Sequence, residues 1–140
     1  MIIRILVEAL TGIVLMTLFS YIVSYVSNKN FKEPALLNHL LRRGNRDAPV
    51  MGWAVHYIIG VLFTAAYEAI WLLWDVAPDI WFVLIAGTLS GITGVIGWTC
   101  MLKISSDPPQ IALRDFLLQL VFAHVIFVFG AVLVRHFYVF

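Results

Sequence analysis

The stretch Gly52–Trp74, GWAVHYIIGVLFTAAYEAIWLLW, decides how the rest of the chain is read. It stays apolar for longer than the roughly 20 residues a helix needs to cross ~30 Å of hydrocarbon. Yet it carries His56, Thr64, Tyr67 and Glu68. Ionisable groups are costly inside a bilayer, so these residues are the first places to look for function.

Three further runs share that character, at 5–27, 81–102 and 113–135, each bounded by charges or turn residues. The expectation is an all-α polytopic membrane protein: one domain over 1–140, with four transmembrane helices. Composition agrees: 62% of residues are hydrophobic and 12% charged, with a mean hydropathy of +0.96, whereas a soluble domain carries about 25% charge. No loop is long enough for a soluble catalytic module. Cys100 is the single cysteine, which excludes an internal disulfide or a thiolate cluster and predicts a thiol packed as a small apolar group. The first run follows Arg4 as a secretory signal would, but it is too long for one and no small-residue cleavage site follows. It reads as a retained helix.

Between the first two runs lies the most distinctive loop. Glu33-Pro34 is a good helix start, and Leu36, Leu37, Leu40 and Leu41 gather on one side against Asn38, His39, Arg42 and Arg43. This predicts a short amphipathic helix over 34–43, lying in the membrane interface with its leucines in lipid or docked on a partner subunit. Farther along, the connector Asp75–Asp79 is so short that the helices at 52–74 and 81–102 are expected to pack as an antiparallel hairpin. The third helix carries Gly87, Ser90, Gly91, Gly94 and Gly97 at steps of three and four. Each glycine costs ~1 kcal/mol in a helix interior, and in lipid the compensation is close helix packing. Ser20 and Ser24 belong to a similar row of small polar residues on the first helix. Asp107 and Gln110 around Pro108-Pro109 suggest a capped start for the fourth helix there.

Basic residues are distributed unevenly. Lys29, Lys32, Arg42, Arg43, Arg46, Lys103 and Arg114 fall on the side of the two longer loops, against Arg4 and Arg135 opposite. By the positive-inside rule the longer loops are cytoplasmic and both termini outside. A basic inner face would favour anionic lipid heads.

His56, Tyr67, Glu68 and His124 are the candidate intramembrane polar site. Stepping 100° and 1.5 Å per residue separates His56 from Glu68 by about 120° and about 18 Å, so they are not direct partners. His56 is expected near a serine-lined level of the first helix, and His124 somewhat deeper. Glu68 is expected among Glu8, Arg4 and Arg135. A bis-histidine haem between His56 and His124 is disfavoured by their unequal depths, and no other cofactor or metal site is indicated. No nucleophile–base constellation, nucleotide loop or nucleic-acid module occurs.

The opening pattern Gly52-Trp53-x-x-His56-Tyr57-x-x-Gly60-x-x-Phe63 is broadly similar to small bacterial membrane proteins. The resemblance implies a bacterial inner membrane and carries no site with it. The functional expectation is a non-catalytic accessory subunit or assembly factor. It would touch other membrane subunits, or itself, through the glycine-rich helix and the leucine face. The alternative is a small homo-oligomeric transporter or channel for protons, cations or a small solute, using Glu68 and His56. A redox or lipid-modifying enzyme ranks third.

Overall fold

A computed structural model describes residues 1–41 and 49–137. Within them the chain forms five helices: α1 Ile2–Ser27, α2 Glu33–Leu41, α3 Pro49–Trp74, α4 Ile80–Ile104 and α5 Leu113–Phe137. All but α2 are long and apolar enough to cross a membrane. At 1.5 Å per residue, a helix of 25 or 26 residues is about 38 Å long and exceeds the ~30 Å hydrocarbon layer, so its ends reach the headgroups or it tilts.

Local chemistry sets the helix ends. Asn28 closes α1 in the left-handed conformation, φ 58°, and its N–H donates to the Ser24 carbonyl; asparagine is one of the few residues that tolerate this region. Asp79 caps α4, its side chain accepting from the Phe82 N–H at 2.9 Å. α5 starts at Leu113, where the apolar run begins, and not at the capped start expected around Pro108. The second proline accounts for this. Pro109 disfavours helical geometry at Pro108, so Pro108 cannot open a helix.

The apolar face of α5 is the centre of the molecule. Phe116, Leu120, Ala123, Phe127, Val128 and Ala131 are all buried on it, with α1 and α4 packed on either side. The glycines of α4 make one of these seams. A methyl group at Gly87 or Gly91 would come within 2.6 to 2.7 Å of the Val125 or Val121 Cα, so only glycine permits this approach. At the other seam Gly12 of α1 meets Gly130 of α5 backbone to backbone, a crossing that the single glycines of those helices did not advertise.

α3 packs on α1 and is covered at one end by α2. The expected α3–α4 hairpin is corrected here: the two helices do not pack along their length. They meet near their short connection, where the Tyr67 hydroxyl donates to Ser90 at 2.5 Å and Phe82 lies against Tyr67 and Trp71. The spatial order is therefore α4, α5, α1, α3, with the α3–α4 seam left open toward the α2 end. Cys100 is also exposed on α4 rather than packed inside.

α2 turns inward. Leu36 and Leu37 are buried in the core while Leu40 is half-buried and Leu41 exposed. The Ser24 hydroxyl, accepting from the Phe31 N–H at 2.9 Å, ties the preceding turn back onto α1. Arg42 and Arg43, the basic end expected for this helix, lie outside the described residues.

Candidate functional site: an intramembrane cleft

Where α3 and α4 part, a cavity of about 210 Å³ opens. Ile59, Gly60 and Phe63 of α3 face Thr93, Gly94, Gly97, Trp98 and Met101 of α4 across it. Ile13 and Met16 of α1, with Leu120 and Phe127 of α5, form the back wall, and Glu33 and Leu37 of α2 close one end. Thr93 and Gly97 are exposed, and a methyl group added at Gly97 would meet nothing within 4 Å. The cleft thus faces sideways, toward the lipid side of the bundle. Three ionisable side chains line this apolar space: His56, His124 and Glu33.

The two histidines were separated by depth in the sequence; the structure brings both to the wall of one cavity. His124 donates from Nδ1 to the Leu120 carbonyl at 2.8 Å, since that oxygen can only accept. Its ring meets Phe63 edge-on at 5.8 Å. Gly94 makes room for it: a methyl there would lie 2.8 Å from the imidazole Cε1 and 3.0 Å from Nε2. His56 Nε2 faces the Thr17 hydroxyl at 3.5 Å, so its α1 neighbour is a threonine and not a serine.

Glu33 is fully buried and was missed as a site residue. The Gln119 amide donates to the Ser20 hydroxyl at 2.6 Å, and Ser20 donates to Glu33 Oε1, also at 2.6 Å. Gln119 reaches the same oxygen at 3.4 Å. Glu33 Oε2 has no hydrogen-bond partner among the described residues. Burial pushes the Glu33 carboxyl up to about 7, against the opposing pull of Ser20, its own backbone N–H and Gln119. A signal for this burial did exist: Leu36 and Leu37 stand three and four residues on, so a helix that buries them buries Glu33 as well.

Glu68 lies elsewhere. It is buried at the opposite end of the bundle, bridged by Arg4 with bonds of 3.1 and 2.5 Å and by Arg135 from α5. Glu8, also buried, lies 3.6 Å from Arg4, and the Arg135 guanidinium sits over the Trp71 ring at 4.4 Å. Of the predicted polar site, then, His56 and His124 meet in the cleft, Glu68 belongs to a charge cluster, and Tyr67 serves the α3–α4 contact. Ser20 supports Glu33, and Ser24 holds the turn before α2. Gly87, Gly91 and Ser90 are engaged inside the bundle, whereas Gly94 and Gly97 line the cleft. Among the described residues no group of three or more His, Cys, Asp or Glu side chains is arranged to hold a metal ion.

Comparison with protein-family models, with curated proteins and with solved structures finds no match to this chain.

Proposed function

We propose that this is a non-catalytic integral membrane protein that takes a lipid-soluble amphipathic molecule from the bilayer into the cleft between α3 and α4. The supporting observation is the cavity itself: about 210 Å³, open to the side, apolar along its length and polar at His56, His124 and Glu33. An apolar cavity of ~150 Å³ accepts benzene, so this one has room for a ring and the start of a tail. Mostly apolar walls with a few convergent polar groups are the usual make-up of a ligand pocket. The accessory-subunit reading keeps only part of the two surfaces first offered for it, Gly97 and Leu41 being exposed. Gly87 and Gly91 pack on α5, and Leu36 and Leu37 on the core. The transporter reading joins Glu68 to His56, which here belong to different polar groups.

We place the α2 end at the cytoplasmic face of a bacterial inner membrane, with both termini outside. The support is the excess of Lys and Arg in the loops at that end. α2 then lies at the inner interface and closes the cleft from the cytoplasmic side.

The experiment is extraction of protein purified in mild detergent, with mass spectrometry of the organic phase. The expected result is one lipid-soluble species near one per chain, strongly depleted in a Gly97→Leu variant whose side chain occupies the mouth. Identical extracts from both proteins would contradict the proposal.

A further inference from the structure

We infer that the ligand of the cleft carries a hydroxyl group on a ring, so that a hydrogen-bond donor, and not a carbonyl or ether, meets the cleft wall at His124 and Thr93. This rests on the reading of the cleft as a binding pocket and specifies the chemistry of what binds.

The argument is one of donors and acceptors. A neutral imidazole has one of each. His124 uses its donor on the Leu120 carbonyl, so Nε2, which lies along Gly94 of the cleft wall, is left as an acceptor. Thr93 spends its hydroxyl proton on the Leu89 carbonyl at 2.9 Å and keeps only lone pairs for the mouth of the cleft. Two polar wall groups on two different helices thus present acceptors. A buried acceptor left without a donor is destabilising, and at His124 Nε2 a ligand carbonyl would set lone pair against lone pair. A hydroxyl gives its proton to that nitrogen instead.

The apolar walls select the rest of the molecule. Phe63, Trp98 and Phe127 present aromatic surface to the cavity, which favours a ring packed by offset or edge contacts. Trp98 is itself held edge-on to Phe116 at 5.0 Å, so this wall is rigid before any ligand arrives. The opening toward lipid leaves an exit for an alkyl tail. The class is a lipid-soluble phenol or similar ring alcohol.

The test uses the full chain in lipid nanodiscs, with 4-hexylphenol and 4-hexylanisole as probes titrated by calorimetry. The pair have the same ring and tail and differ by one methyl group, which removes the donor. The phenol should bind about tenfold more tightly, the value of roughly one hydrogen bond. That preference should shrink to about threefold or less in His124→Phe. Thr93→Val, at an exposed position that leaves the fold alone, should reduce it too. Equal affinity for the two probes in the unaltered protein would overturn the inference while leaving the pocket standing. Absence of saturable binding by either probe would overturn both. A phenol preference untouched by both substitutions would remove these residues from recognition and overturn the inference as stated.

Discussion

Of the three carboxylates buried among the described residues, Glu68 and Glu33 are treated by the fold in opposite ways. Glu68 is met by two guanidiniums, from α1 and α5. Glu33 is met by neutral donors alone, a serine and a glutamine, and one of its oxygens has no hydrogen-bond partner among the described residues. The first arrangement fixes a charge and ties three helices together. The second leaves a group able to change protonation near neutral pH. The difference assigns roles: the Glu68 end is a structural clamp, and the Glu33 end belongs to the binding cleft.

Breaking the clamp should have the largest effect. Glu68→Ala strands Arg135 and leaves Arg4 with Glu8 alone, 3.6 Å away, both guanidiniums being about a fifth exposed, and losing one partner of a buried ion pair costs about 3 to 5 kcal/mol. Denaturation in detergent micelles, followed by circular dichroism, should show a loss in that range. A loss below about 1 kcal/mol would dissolve the contrast from this side.

Next comes the pH dependence of Glu33. Burial holds its folded carboxyl at about 7, above the ordinary 4.5. Below the lower value it is protonated in both states and carries no penalty. As pH rises through the interval the unfolded chain gives up its proton more readily than the folded one, so stability falls, levelling off above the upper value. The whole fall amounts to about 3 kcal/mol. Glu33→Gln should abolish this part of the profile and be the more stable protein at pH 8. Parallel profiles for the two would show that Glu33 is not buried as described.

A smaller effect should come from the donors. Ser20→Ala or Gln119→Leu removes a hydrogen bond worth about 1 kcal/mol. Because those bonds favour the charged carboxylate, the same variants should move the fall in stability to higher pH. The smallest effect belongs to Lys29 and Asp115, an exposed pair joining the turn after α1 to the start of α5. Lys29→Ala should leave the unfolding midpoint where it is, since exposed ion pairs contribute little and are screened by salt.

The clamp was legible in the sequence and the cleft was not, for physical reasons. Arg4, Glu8, Glu68 and Arg135 each fall a similar distance from a helix end on one side, so counting residues places them together. The four long helices follow from run length and hydropathy alone. By contrast, a short connector between α3 and α4 constrains only the helix ends that it joins; packing along the length depends on which faces α1 and α5 occupy. Depth counted along ideal vertical helices separated His56 from His124, whereas helices longer than the hydrocarbon layer tilt. Glu33 was read as the polar opening of a surface helix because its position before Pro34 fits that role locally. Leu36 and Leu37 signal its burial, but its partners there, Ser20 and Gln119, are distant in sequence and no local pattern announces them.

The central claim is that a small lipid-soluble molecule enters between α3 and α4. Trp98 lines that space, while Trp74 is exposed at the other end of α3, so tryptophan emission during a titration with 4-hexylphenol in nanodiscs locates the binding directly. The account predicts a saturable change that disappears in Trp98→Phe and in Gly97→Leu but persists in Trp74→Phe. A change that never saturates, or one that survives the loss of Trp98, would contradict it.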